Sequence, residues 1–289
     1  GDDLRLVTRT EIHLHTANGV RVLPIRAPRD VRFLDPETLL VIEELPATDE
    51  GGLPETRMVL FHTKKEEIQP IGEGSGYYDP EPSPDGSLLA VGRHQPTHGD
   101  ADLEIHDLTS HERLANRRQG FEEPRWREDG SRLVVGMMIA DPEELSDRGG
   151  EMAGTSFVWP RLHVLQSNLT LGPLIPDSDT ADTLEPGGTL PLWWDAQGIW
   201  ARQNRGLVRC QPEGGCTLVY SPGEEDRIVD GRPVGGGEAL LLVVSKHGAF
   251  DRRLPDAVHR VDLTTGEGRV VHRTLRSEYL IDLDWIALP

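Results

Sequence analysis

Long apolar runs are missing from the 289 residues: none approaches the roughly 18 needed to cross a bilayer as a helix. Basic residues are scarce, 30 Lys and Arg against 49 Asp and Glu, so the formal charge is −19. A surface of that sign repels nucleic-acid phosphates and anionic lipid, and it favours a basic partner or a cation. Acidity of this kind also keeps a protein in solution with no partner at all. Amphipathic helical stretches are nearly absent, while 31 Gly and 22 Pro point to many turns, which leaves an all-β fold. No charged, apolar leader stands at Gly1. An exported protein is expected to have lost its signal, with any lipid-bearing cysteine ahead of Gly1, and an intracellular one would open the same way.

Catalytic signatures are missing too. No Gly-x-Ser-x-Gly elbow and no His-Glu-x-x-His helix occur. The run Gly72-Glu-Gly-Ser-Gly76 is followed by neither Lys-Ser/Thr nor a helix, so it is no phosphate loop. Cysteines number two, too few for a four-ligand metal knuckle. Cys210 and Cys216 flank Gln-Pro-Glu-Gly-Gly, which is turn chemistry between two strand-like segments. Cysteines across a hairpin tip can bridge, and a disulfide is expected there, with two free thiols as the alternative. A bridge suits an oxidising, extracytoplasmic compartment.

What is present is a repeat. Asp79-Pro-Glu-Pro-Ser-Pro-Asp-Gly-Ser-Leu-Leu-Ala-Val-Gly and Glu123-Pro-Arg-Trp-Arg-Glu-Asp-Gly-Ser-Arg-Leu-Val-Val-Gly share Pro-x-x-x-x-Asp-Gly-Ser-x-Leu-(Ala/Val)-Val-Gly. Weaker copies begin at Val31, Leu190 and Arg227. Each is a strand, a tight turn and a second apolar strand, hence a hairpin. A second hairpin follows, clearest in Asp102-Leu-Glu-Ile-His-Asp-Leu-Thr and Ala257-Val-His-Arg-Val-Asp-Leu-Thr, with alternation of period two. Two hairpins make a four-stranded blade. The last inner strand, Tyr279-Leu-Ile-Asp-Leu-Asp-Trp-Ile, lacks outer partners, and Leu4 to Leu23 can supply them. The expected architecture is a single domain, a six-bladed β-propeller of four-stranded antiparallel blades whose last blade is closed by both termini. Its blades fall near 26–75, 76–119, 120–186, 187–225, 226–276, and 277–289 with 1–25; a seventh would have to hide within 139–186.

The pattern Pro-x-Trp-x-x-Asp-Gly-x-x-Leu with an outer (Leu/Val)-x-x-x-Asp-Leu hairpin resembles the repeat of the TolB-type propeller family. The resemblance covers the propeller and not the α/β domain that precedes it in TolB. It implies a periplasmic protein that binds other proteins, although the same repeat occurs in propellers that gate peptidases, so it speaks for a fold more than for a task.

The longest connections join second to third strands, which puts them on one face of a propeller. Candidate partner-binding residues there are Asp49 and Glu50, His94, His98 and Asp100, then Asp141, Glu143, Glu144 and Asp147. Asp177 and Asp179 join that face from a blade-to-blade connection, and His247, Arg252 and Arg253 form a basic corner. Channel-mouth candidates are Tyr77, Tyr78, Asp79, Glu122, Glu123 and Asp282, at the starts of inner strands. Trp126, Trp193, Trp194 and Trp285 occupy a repeat position expected to lie between blades. No cofactor is expected: the histidines from His94 to His111 divide between a loop and an outer hairpin. Asp177-Ser-Asp-Thr-Ala-Asp182 has calcium-loop spacing but lacks the EF-hand Gly and Glu. The functional expectation is a non-catalytic scaffold of the bacterial envelope that docks another, basic protein on its long-loop face. The alternative is a metal-dependent hydrolase of the lactonase type, with carboxylates at the central channel.

Overall fold

A computed structural model of the chain describes residues 11–273 apart from 17–18, 26, 47–54, 73, 95–100, 119–120, 138–159, 176–187, 204–205, 225, 235 and 247–256. Five antiparallel four-stranded sheets follow one another along the chain. The first holds β3 (Pro28–Asp35), β4 (Thr38–Glu44), β5 (Thr56–His62) and β6 (Glu67–Ile71). The second holds β7 (Tyr77–Pro82), β8 (Leu88–His94), β9 (Ala101–Asp107) and β10 (Arg113–Arg118). The third holds β11 (Phe121–Trp126), β12 (Arg132–Met137), β13 (Arg161–Gln166) and β14 (Leu171–Leu174). The fourth holds β15 (Thr189–Asp195), β16 (Gly198–Gln203), β17 (Gly206–Cys210) and β18 (Cys216–Tyr220). The fifth holds β19 (Asp226–Val234), β20 (Ala239–Lys246), β21 (Ala257–Asp262) and β22 (Gly268–Arg273). A two-stranded sheet, β1 (Ile12–Thr16) with β2 (Gly19–Leu23), precedes them.

Among the described residues there are thus five four-stranded blades rather than the six expected. The inner strands assigned to the sixth lie at 279–286, outside the described residues, as does Trp285. The β1–β2 hairpin packs on the first blade: Ile12, Leu14 and Leu23 share a cluster with Leu39, Val41, Val59 and Phe61. No helix among the described residues is long and apolar enough to cross a membrane.

The repeat explains the local geometry. In the second blade the Asp85 carboxylate accepts from the Ser87 amide at 3.1 Å, and Gly86 takes φ +70°, which the tight turn requires. Asp129 and Gly130 repeat this in the third blade, with Ser131 donating at 2.9 Å and φ +69° at the glycine. The outer turns are capped by Asp107 and Asp262, each accepting from two successive backbone amides at 2.7–2.9 Å. Core clusters lie between blades, not within them. Phe121 and Trp126 pack on Ala90, Leu103 and Ile105 of the second blade; Trp194 joins Val134 and Leu162; Trp200 joins Leu240 and Leu242. Second strands are therefore apolar on both faces, and the innermost strands meet in ring order: β3 with β7, β7 with β11, β11 with β15, β15 with β19.

Candidate functional site

Alternation of strand direction puts the ends of each second strand and the starts of each inner and third strand at one end of the propeller. The wide gaps at Glu44–Thr56, Met137–Arg161 and Lys246–Ala257 all open there, whereas the inner turns at the other end are short. Asp49, Glu50, His98, Asp100, Asp141, Glu143, Glu144, Asp147, Asp177, Asp179, His247, Arg252, Arg253 and Asp282 lie outside the described residues. His94, at the end of β8, stacks on Tyr78 with ring centroids 4.4 Å apart. Burial, and then the Arg29 charge, hold its imidazole below the usual pKa.

Tyr77 and Tyr78 are buried rather than lining an open mouth. Tyr77 packs among Met58, Ile71 and Leu89, and the Tyr78 hydroxyl donates to the Phe121 carbonyl at 3.2 Å. Aromatic rings this large fill the wedge between blades before they face water. Asp79 and Glu123 do come together. Every inner strand of the five blades carries a register shift against its neighbour in the same blade, between Pro28 and Asp30, Tyr78 and Glu81, Glu122 and Arg125, Pro191 and Trp193, and Ile228 and Asp230. At two of these bulges the acid itself is left-handed, φ +48° at Asp79 and +49° at Glu123. The twisted backbone aims each amide at the acid of the preceding blade. The Asp79 amide donates to Asp30, and the Glu123 amide donates to Asp79 Oδ2 at 3.3 Å. The next blade has Pro191 at this place, with no N–H to give, and Glu123 takes the Arg202 guanidinium instead. Glu122 stands in β11 opposite Gly136.

The acid relay ends in a crowded pair. Burial, with the Asp79 carboxylate beside it, pushes the Asp30 carboxyl up to about 6, and its Oδ2 is shut off from solvent without a hydrogen bond. Two residues further along the inner strands, a second ring carries the opposite sign: Arg32, Arg125 and Arg232, with Glu81 among them and Asp230 reaching it from the level of the first. Their contacts cross from blade to blade, Arg32 and Arg232 to Glu81 at 3.5 and 3.2 Å and Arg125 to Asp230 at 3.4 Å. Arg125 also donates to the carbonyls of Leu192 at 3.1 Å and Pro124 at 2.9 Å. Burial, and then the Arg232 charge, lower its pKa.

Two further polar features lie outward from the rings. Glu104 is fully buried in β9 among Arg93, His106 and Arg113. Cys210 and Cys216 face one another across β17 and β18 with Cα atoms 4.1 Å apart and form the expected disulfide. The closed loop is short, so chain-entropy arguments assign the bridge about 2 kcal/mol. Reduction should lower the melting temperature accordingly, and an unchanged melting curve in dithiothreitol would refute a stabilising role. His106 is held by Glu104 at 2.8 Å and is no spare ligand. Among the described residues no group of three His, Cys, Asp or Glu is placed to hold a metal ion.

No protein-family model matches this sequence, and no curated protein matches it. Solved structures do. A putative TolB from Agrobacterium tumefaciens superposes with a TM-score of 0.63 at 13% identity, over 95% of this chain and 92% of that one. TolB from Acinetobacter baumannii gives 0.58 at 13% identity, over 82% of this chain. This chain spans about half the length of that protein, 53%. An oligogalacturonate lyase in complex with manganese gives 0.53 at 16% identity, over 92% of this chain and 73% of the lyase. At such identities the likeness speaks for the fold alone: this chain is a β-propeller similar in fold to TolB.

Proposed function

We propose that the protein is a non-catalytic binding propeller that docks a basic segment of another protein on its long-connection face. The observation that carries this reading is the acidic relay of Asp30, Asp79 and Glu123, at the channel end where the wide strand gaps open. Negative charge is concentrated there against its own desolvation, which raises the attraction for a Lys or Arg side chain entering the mouth. The connections from residue 45 to 55 and from 138 to 160 are rich in Asp and Glu, of the same sign. A disulfide and the TolB-like fold favour an extracytoplasmic, periplasmic setting. A sixth blade, with Tyr279–Ile286 inside and β1–β2 outside, would complete the ring.

A metal-dependent hydrolase is the second reading, favoured by the likeness to a manganese-bound lyase. Against it, the Glu81 and Asp230 carboxylates are already engaged by arginines, which makes them poor donors for a hard cation. The deciding experiment is capture from an envelope extract with wild type and with Asp141, Glu143, Glu144 and Asp147 changed to Asn or Gln. A partner that wild type holds should bind the variant at least about tenfold more weakly and should be released by salt. Equal retention would reject the docking reading. Chelator-sensitive hydrolysis, with a stoichiometric metal in the purified protein, would replace it by the enzymatic one.

A further inference from the structure

Of the four asparagines only Asn168 has a hydroxyl residue two places on, in Asn168-Leu169-Thr170, with no proline between them. That tripeptide is the acceptor pattern for N-linked sugar, and it needs an exposed turn in an exported protein. The structure supplies the turn. Asn168 and Thr170 are both exposed between β13 and β14, while Leu169 between them is only 3% exposed. Leu169 takes φ +63° and shares a cluster with Ile105 and Phe121 between the second and third blades. Its carbonyl accepts from Arg117 Nη1 at 3.0 Å, and the Gln166 amide donates to the Thr170 carbonyl at 3.0 Å. The middle of the turn is therefore anchored, and its two flanks face water.

This turn also departs from the repeat in a way that blade cohesion does not require. Its counterparts at 108–112 and 263–267 are one residue longer and are capped by Asp107 and Asp262. Here Gln166 ends the strand, and Asn168 Oδ1 accepts from the Thr170 amide at 3.0 Å. An aspartate makes that same contact two residues on at Asp85 and Asp129. What asparagine adds is a carboxamide nitrogen. Among the described residues neither Asn168 Nδ2 nor the Thr170 hydroxyl is taken by a hydrogen bond. The oxygen is held and the nitrogen is free.

We propose that Asn168 is a site of N-glycosylation, taking an oligosaccharide from a lipid-diphosphate-linked donor. Asn168 Nδ2 forms a bond to the anomeric carbon of the first sugar as the bond from that carbon to the diphosphate oxygen breaks. The diphosphate leaves with its lipid, and one carboxamide proton passes to a base of the transferase. This inference rests on the extracytoplasmic setting proposed above. It does not rest on the docking reading, because the end of β13 lies at the opposite end of the propeller from the long connections.

The test has two arms. In the first, the protein is isolated from the cells that make it, and mass spectrometry of its digest should find the Asn168 peptide carrying an oligosaccharide. In the second, purified folded protein is incubated with a lipid-linked oligosaccharide and a single-subunit oligosaccharyltransferase. Wild type should gain the mass of a single oligosaccharide, and Asn168→Gln, Asn168→Asp and Thr170→Ala should each lose the gain entirely. Asn168→Asp keeps the oxygen that caps the turn, so its melting temperature should match wild type and its loss should report the acceptor rather than the fold. If the folded wild type gains no sugar, or if the gain survives Asn168→Asp, the geometry of the turn does not make an acceptor and the proposal fails. If transfer succeeds in vitro while the protein from its own cells carries a bare Asn168, the proposal fails through its setting and not through the turn.

Discussion

Changing Glu104 to alanine should remove about 3–5 kcal/mol of stability, the range for breaking a buried ion pair from one side. The residue is 0% exposed, yet it is charged in the fold. Burial alone would raise its pKa. Hydrogen bonds from His106 Nε2 at 2.8 Å and Arg113 Nη1 at 2.9 Å, with the Arg93 charge at 3.2 Å, win against burial and hold the carboxyl at about 2. Without it, Arg93 of β8 and Arg113 of β10 lose the carboxylate they share across β9. The loss should appear as a fall in melting temperature of roughly 10 °C for a domain of this size. It should also depend on pH with a definite sign. The folded-state pKa lies below that of the unfolded chain, so the contribution is complete above about 4.5 and fades as pH falls through about 2. Wild type and variant should therefore converge in acid. A constant gap down to pH 2 would mean that packing, not charge, supplies the stability.

The fold was legible in the sequence because propeller blades advertise their turns. Asp85-Gly86 and Asp129-Gly130 need an αL residue and a short acceptor, and Asp107 and Asp262 cap outer turns by the same logic. Cys210 and Cys216 were legible for a related reason, since a symmetric hairpin leaves them directly opposed. The channel was only half legible. Asp79 and Glu123 stand out beside proline, but a bulge shifts which residue faces the axis, and strict alternation then sends Tyr77 and Tyr78 the wrong way. The missed signal is a spacing: Asp30-x-Arg32, Glu123-x-Arg125 and Asp230-x-Arg232, with Asp79-x-Glu81 carrying a second acid in place of the base. An acid and a base two apart at the start of an inner strand place both on the channel side, in two stacked rings of opposite sign. Glu104 was hidden differently, because its repeat neighbours in β13 and β21 are His163 and His259, and no charge pattern marks the position.

Changing Asp30 to asparagine should work in the opposite direction and stabilise the protein by about 2–3 kcal/mol at pH 8. Burial and the Asp79 charge raise the folded-state pKa of Asp30 from 3.8 to about 6. A raised pKa means that the favourable contribution is complete below about 3.8, where the group is protonated in both states, and is lost as pH rises through about 6. At pH 8 the wild type thus carries an ionised, half-satisfied carboxylate against Asp79, and asparagine removes it while keeping an oxygen for the Asp79 amide. His163 supplies the contrast. Burial, with Arg161 and Arg117 nearby, lowers its imidazole to about 4, so its contribution is complete above about 6.5 and lost as pH falls toward 4. In wild type the two trends oppose each other between pH 4 and 6, and the stability profile there should be nearly flat. In the Asp30→Asn variant only the histidine trend remains, and urea midpoints should fall steadily across the same window. If the variant is no more stable than wild type at pH 8, the Asp30–Asp79 pair is not a source of strain. If it is more stable but holds a basic partner more weakly, the acid is retained against the fold's own interest, as expected of a residue that serves binding.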